Sequence, residues 1–531
     1  MRFGMILFRV IYPYCLGENA MNRLKWDQQK QENLCIILYF MVAAVAILLL
    51  ATRSSFLYPC NNWDDANSYF SVGKAIFNGK LPYREVFDQK GILLYFLYGL
   101  CYLLSHTTFA GVFVMECILA FFDLLGMYRI LLLYMKRNTA LILTPLPLAM
   151  VFASYSFYWG GAAEEICLPF LLWGLYLGLR YFKTEYPQKA MDSRTLLIAG
   201  VLAGVIANIK FTVLGFFFAW MMWVAFSCLM RKDVKRAFVS CGWFLLGMAI
   251  PFVPGLIYFG VRGALYDWYW GYVYINVFLY SNLDGAGPSI GERIHTLVKI
   301  LYWLIRVNFL YYIAIIPGLF AMLLEKKQKW MTRLFVPVLF GFLFLGIYIG
   351  GSELPYYALP LGVFTVCGFI LLGKLAEWVI QKLKKSSDRS AAKWLQGIFM
   401  VAAIGVSVLI VYLNSINIPY MKMKSEDLFL YHFKEIVEQS ENPTLLNIGC
   451  LDAGLYTVCD IVPTCQWFQT QTINSDVVYQ EQERYIREGQ TEYVLARDNY
   501  PEVIWEQYDL VAEEEFDDGN YVSTYYLFHR K

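Results

Sequence analysis

Charge is scarce in this sequence. Only 16% of the 531 residues are Asp, Glu, Lys or Arg, against about 25% in an ordinary soluble domain. The signs nearly cancel, 44 basic against 42 acidic, and a net charge of +2 excludes a strong field aimed at nucleic acid. No phosphate-loop spacing is present: Gly449 and Gly454 stand alone, so the polar C-terminal region carries no nucleotide fingerprint. No clear internal duplication is present, which argues against the paired repeats of a transporter. Cysteine is not used as a framework. Most of the 12 Cys lie inside apolar runs, where the residue behaves as a small hydrophobe. Cys450, Cys459 and Cys465 lie in the polar tail, where a disulfide and free thiols are both open. A cleavable signal peptide is also missing. The apolar stretch 1–15 runs into a polar segment with Arg23, Lys25 and Lys30, and no small-residue cleavage site follows the next run, 34–50. That run reads as a retained first span.

What the chain has instead is apolar residues, 58% of the total, with 18% aromatics. They come in blocks long enough for a bilayer, which takes about 20 apolar residues per helix. Full spans are expected near 34–51, 109–135, 140–158, 166–182, 196–211, 212–230, 237–261, 297–324, 334–350, 357–380 and 395–413. The fold class is therefore an α-helical polytopic membrane protein of about 11–12 transmembrane helices. A further run, 92–104, is short for a crossing and reads as re-entrant or interfacial.

The positive-inside rule gives the expected orientation. With the N-terminal segment 1–33 in the cytoplasm and 92–104 not crossing, the inner loops collect the bases. They hold Lys136 and Arg137, then Lys183, Lys189 and Arg194, then Arg231, Lys232, Lys235 and Arg236. They continue with Lys326, Lys327, Lys329 and Arg333, and end with Lys382, Lys384, Lys385 and Arg389. The opposite loops 159–165 and 351–356 hold no Lys or Arg. This topology places a membrane domain at 34–413 in the plasma membrane. Its loops 52–91 and 262–295 and the tail 414–531 lie outside the cell. The tail carries half of the 42 carboxylates. It mixes helical patterns (428–440, 477–488) with strand patterns (444–448, 493–496, 521–528), so a small extracytoplasmic α/β domain is expected there.

The outer loop 52–91 concentrates chemistry. A carboxylate pair, Asp64-Asp65, follows the first span, and Asp88-Gln89-Lys90-Gly91 precedes the short apolar run. A second pair, Glu164-Glu165, follows Gly160-Gly161, two residues that let backbones approach closely. Ionisable groups at membrane depth cost about 2.5–3.5 kcal/mol each on insertion scales, and so mark candidate functional sites. Blander readings remain open for each. Acidic pairs after a span are commonly solvated loop, Glu164-Glu165 can be headgroup-level charge, and Lys90 can snorkel. Lys210, within Asn208-Ile209-Lys210-Phe211, is harder to explain by packing. In this topology it reaches either the same outer cavity or the phosphates of anionic lipid.

Four stretches together resemble the polytopic glycosyltransferases of the GT-C fold. That superfamily includes protein mannosyltransferases, aminoarabinose transferases and the RgtA/B/C/D-like bacterial group. The stretches are Asp64-Asp65-Ala66-Asn67, then Gly79-Lys80-Leu81-Pro82-Tyr83-Arg84 running to Phe87-Asp88-Gln89-Lys90-Gly91, then Gly160-Gly161 with Glu164-Glu165 before Leu168-Pro169-Phe170, and Pro355-Tyr356-Tyr357-Ala358-Leu359-Pro360. The resemblance covers the membrane part of the chain. It implies transfer of a sugar from a polyprenyl-phosphate donor to a cell-envelope glycan, lipid or protein at the outer membrane face. It implies an Asp base, here Asp65 with Asp64 as the alternative, and a second acidic motif at Glu164-Glu165. It implies that Lys90 contacts the donor phosphate, with Arg84 or Lys210 assisting, and that Asp88 and Tyr83 belong to the same cavity. Gly91-Ile92 departs from the Gly-Pro or Pro-Pro often found after that lysine. Some such enzymes use a divalent cation and many do not. Asp64, Asp65, Asp88 and Glu164 are the oxygen ligands available to one, and no spacing demands it.

Two other classes compete. A transporter or flippase of envelope precursors would place its charges near the midplane, whereas these cluster at one face. A non-catalytic scaffold leaves the loop motifs unexplained. Convergence of Asp65, Glu164 and Lys90 in one place separates the enzyme from both.

Overall fold

Long apolar runs have one way to satisfy their backbone in lipid, the helix. The computed structural model accordingly places most of the chain in helices. It describes residues 18–279, 289–350, 353–383, 389–471, 473, 476–517 and 522–531. The apolar stretch 1–15, Lys384 and Lys385 of the last basic loop, and part of loop 262–295 lie outside the described residues.

Among the described residues seven helices are long and apolar enough to cross a membrane. They are Gln31–Ala51, Ala110–Leu132, Phe211–Met230, Val234–Val261, Trp330–Tyr348, Pro355–Lys382 and Trp394–Asn414. With this many apolar helices the chain is a multi-pass membrane protein.

Four of the eleven expected runs lie outside this set, each for a local reason. Run 140–158 folds as the shorter apolar helix Arg137–Phe152, where Pro145 and Pro147 cannot donate to the helical ladder. Run 196–211 folds as Ser193–Ala207, which stops before an extended Lys210. Its 15 residues reach about 22 Å, short of the roughly 30 Å hydrocarbon core. Run 166–182 lies within Ala163–Thr184, a 22-residue helix that carries Glu164 and Glu165 in its first turn and Lys183 in its last. Run 297–324 breaks into Ile290–Val307 and Phe309–Leu324, bent by 113°. The break is at Asn308, whose buried Oδ1 accepts hydrogen bonds from the Ser156 amide (2.9 Å) and hydroxyl (2.8 Å). Counted as one span, this bent pair would raise the total to eight.

The run 92–104 is a helix, Ile92–Leu104, of about 20 Å. It packs tightly at small residues. A Cβ on Gly73 would meet the Gly99 amide nitrogen at 2.5 Å, and one on Gly111 would meet the Cys101 carbonyl at 2.0 Å. The helix is thus pressed between the outer-loop helix Asp64–Phe77 and the span Ala110–Leu132.

The tail forms a four-stranded sheet in the order β1 (Leu445–Ile448), β2 (Tyr493–Arg497), β4 (Val522–Arg530), β3 (Tyr508–Asp517). Strands β1 and β2 are parallel, and the other pairs are antiparallel. Helices Phe429–Val437 and Asp476–Arg487 accompany it, close to the sequence reading. Strand β3 was not anticipated. Its acidic run Glu513-Glu514-Glu515 disfavours a strand by propensity, but an edge strand alternates exposed and covered positions and can solvate those side chains. Cys450, Cys459 and Cys465 are free thiols.

The sheet domain docks directly on the outer-loop helix. Ser71 donates to Asp452 (2.6 Å), Ser68 to Gln469 (2.7 Å), and the buried Lys74 ammonium to the Tyr456 carbonyl (2.7 Å). Burial pushes the Asp452 carboxyl up to about 6 and pulls the Lys74 ammonium down to about 8.

Candidate active site

The helix Asp64–Phe77 starts with two carboxylates at its positive end, where the helix dipole favours them. Successive helical residues point about 100° apart, so the pair divides. Asp64 turns toward the tail and pairs with Arg497 Nη1 at 2.9 Å. Asp65 turns into the protein and is buried, and its Oδ2 accepts a 2.5 Å hydrogen bond from the Tyr356 hydroxyl.

The end of the loop is held by tyrosines. The Tyr83 backbone has φ 68, and its hydroxyl donates to the Lys90 carbonyl at 2.7 Å. The Tyr95 hydroxyl accepts from the Lys90 amide (2.7 Å) and donates to Asp88 Oδ2 (2.8 Å). Lys90 is therefore clamped through its backbone, and its ammonium lies 5.7 Å from the Tyr69 ring. Burial opposes that charge, but the Asp88 carboxylate and then Asp65 hold its pKa above the ordinary lysine value. Gly91 makes the approach possible, since a Cβ there would lie 2.0 Å from the Asn208 carbonyl oxygen. That contact sets Lys90 beside Asn208-Ile209-Lys210. The Lys210 ammonium forms an ion pair with Glu164 and lies 3.7 Å from the Tyr357 ring and 5.5 Å from the Tyr356 ring. The second Glu164 oxygen, Oε2, is buried with no hydrogen-bond partner among the described residues. Asp65, Lys90, Lys210 and Glu164 thus form one cluster roofed by Tyr356 and Tyr357.

Near the segments that carry Lys90 and Lys210, an apolar cavity of about 390 Å³ opens. Its lining includes Ile92, Leu93 and Asn208, each two or three positions along the chain from one of the lysines, with Phe96, Pro254 and Tyr258 beyond.

No protein-family model and no curated protein sequence matches this chain. Solved structures do. ArnT from Cupriavidus metallidurans, solved bound to undecaprenyl phosphate, superposes with a TM-score of 0.58 at 12% identity. The match covers 93% of this chain and 97% of that one. The apo state of the same protein gives the same TM-score over 94% and 98% of the two chains. This is the GT-C fold. A looser likeness, at TM-score 0.45 and 9% identity, joins it to an archaeal oligosaccharyltransferase, AglB from Archaeoglobus fulgidus, over 93% of this chain and 74% of that one.

Within this GT-C fold the residues singled out by sequence separate into two groups. Asp65, Lys90, Lys210 and Glu164 come together, with Asp88 and Tyr83 supporting Lys90. Three do not join them. Arg84 is exposed and bound to Asp267 (2.6 Å) and to the Gly263 carbonyl (2.7 Å). Asp64 belongs to the tail contact. Glu165 lies one helical step round from Glu164, accepts from the Gly161 amide at 2.9 Å and faces Glu116 instead. Among the described residues no three His, Cys, Asp or Glu side chains are grouped to hold a metal. Of the four carboxylates available to a cation, Asp64 engages Arg497, Asp65 Tyr356, Asp88 Tyr95 and Glu164 Lys210.

Sequence reasoning gave no role to Tyr356, Tyr357, Tyr69 or Arg497. The first two had a signal, the Pro355-Tyr356-Tyr357 motif at the head of a late span. Arg497 had none.

The glycine pair has a testable consequence. Gly160 has φ +85, and a Cβ there would lie 2.0 Å from Thr52 Oγ1. Gly160→Ala combines left-handed strain with overpacking, together about 2–5 kcal/mol. It should lower the melting temperature of the purified protein sharply. Gly79→Ala, at φ +86 with nothing within 4 Å, should show only the smaller strain cost.

Proposed function

We propose that this chain transfers a sugar from a polyprenyl-phosphate-linked donor to a hydroxyl of a cell-envelope acceptor. The observation that carries the reading is the meeting of Asp65, Lys90 and Lys210, with an apolar groove lined by Ile92, Leu93 and Asn208 close by in the chain. The donor's prenyl tail lies in that groove, in contact with Ile92, Leu93 and Phe96, and its phosphate meets Lys90 and Lys210. ArnT, which shares the fold, holds undecaprenyl phosphate, a ligand of this chemistry.

In the reaction the acceptor hydroxyl attacks the anomeric carbon. Its proton passes to Asp65, whose Oδ2 is fixed by Tyr356 so that Oδ1 faces the acceptor. The bond from the anomeric carbon to the phosphate oxygen breaks, and the electron pair leaves with polyprenyl phosphate. Negative charge grows on that phosphate as the bond breaks, and two preplaced ammonium groups stabilise the transition state more than the ground state. Glu164 holds Lys210 in place. No step requires a metal. The charge bias of the loops supports an outer-face site with the N-terminus inside the cell.

Membranes from cells with and without the protein test the reading. With it, a polyprenyl-phosphate sugar is consumed, free polyprenyl phosphate appears and an envelope component gains mass by one sugar. Identical lipid and glycan profiles would sink the proposal.

A further inference from the structure

A second cavity, of about 250 Å³, lies at the other end of the bundle. Glu164 and Lys183 are at opposite ends of one helix, 19 residues and about 28 Å apart. That distance is close to the hydrocarbon thickness of roughly 30 Å, so the cavity sits at the opposite membrane interface from Asp65. Arg333, Lys374 and Tyr134 line it. The Lys183 ammonium is 3.7 Å from the Tyr134 ring and that of Lys374 is 5.6 Å from it. Glu325 is the one carboxylate among the described residues that line the cavity, and it is taken up by Lys374 at 2.8 Å. Arg333 and Lys374 therefore line the cavity with that one carboxylate, Lys183 approaches the same Tyr134 ring from outside the lining while donating to the Leu133 carbonyl, and the Arg333 Nε is buried with no hydrogen-bond partner among the described residues. Next to the cavity, Phe320, Leu324, Leu371 and Leu375 are exposed along the helices Phe309–Leu324 and Thr365–Leu383.

We propose that this cavity binds the headgroup phosphate of an anionic phospholipid, with the acyl chains lying along the exposed Phe320, Leu324, Leu371 and Leu375. Like charges packed this closely repel, and a phosphate between Arg333 and Lys374 relieves the repulsion. Guanidinium and ammonium donors suit phosphate oxygens. The apolar strip beside them matches what is covalently attached to a lipid phosphate and absent from a soluble one. Basic clusters at a membrane surface attract anionic lipid in this way. The site is separate from the sugar-transfer reading and stands or falls without it.

The full chain in non-ionic detergent, offered equal amounts of phosphatidylglycerol and phosphatidylcholine with the same acyl chains, tests this by native mass spectrometry. Phosphatidylglycerol should be retained about tenfold more strongly. The double variant Arg333→Gln with Lys374→Gln should lose that preference. Glu325→Gln removes the competing carboxylate and should strengthen the preference several-fold, a gain that misfolding does not produce. Free glycerol phosphate should not displace the lipid. Equal retention of the two lipids, an unchanged preference in the double variant, or no gain in Glu325→Gln would each overturn the proposal. Displacement by glycerol phosphate would assign the cavity to a soluble phosphate instead.

Discussion

Asp65→Asn abolishes sugar transfer and leaves the protein in the membrane at its normal abundance. The substitution keeps the shape of the side chain, and the amide oxygen can still accept the hydrogen bond from Tyr356. What it removes is the ability to take a proton. Losing a positioned general base costs about a hundredfold to ten-thousandfold in rate. The loss should fall on kcat, because donor binding rests on Lys90 and the groove. Asp64→Asn is the companion measurement. Asp64 is partly exposed and paired with Arg497, so its loss should loosen the tail contact and reduce activity only partially. An active Asp65→Asn protein beside an inactive Asp64→Asn protein would move the base to Asp64.

Lys90→Met is the second large effect. It deletes an ammonium at the point where the leaving phosphate gathers charge, and one preorganised donor of this kind is commonly worth about a hundredfold to a thousandfold in kcat. The fold should survive. The Lys90 backbone is held by Tyr83 and Tyr95 independently of the side chain, and Asp88 keeps its hydrogen bond from Tyr95. Without the neighbouring cation, Asp88 is expected to protonate rather than remain a buried charge. Lys90→Arg retains the charge and should recover part of the rate. Turnover of a polyprenyl-phosphate sugar by the three proteins, with melting temperatures alongside, measures this. Equal activity in Lys90→Met and the parent would show that the phosphate is held elsewhere.

Particular residues show why the site was only partly legible in the sequence. Asp64 and Asp65 are chemically identical neighbours, and nothing local distinguishes a base from an anchor. A helix start separates them by about 100°, and the partners on either side, Tyr356 and Arg497, come from nearly 300 and more than 400 residues away. The same step divides Glu164 from Glu165. Arg84 sits in the most specific motif of the loop, yet the loop turns it outward to Asp267. Lys210 ranked as an assistant, and the close contact of Gly91 with Asn208 makes it a neighbour of Lys90. Four expected spans depart from single straight apolar helices for a related reason. Hydropathy counts apolar residues and does not register where Pro145, Asn308 or Glu164 ends, bends or charges a helix.

By itself the sequence determined that this is a multi-pass membrane protein with an acidic α/β tail, because the cost of leaving apolar residues in water and charges in lipid is set by composition along the chain. It also singled out loop 52–91 and Glu164 as the candidate site, since ionisable groups near lipid are costly enough to stand out. Only the tertiary structure decided which carboxylate faces inward, which lysines gather beside it, and that the tail grips the loop helix through Arg497, Gln469 and Asp452. Those choices depend on helical phase and on contacts between distant segments, and neither is a property of any local stretch of residues.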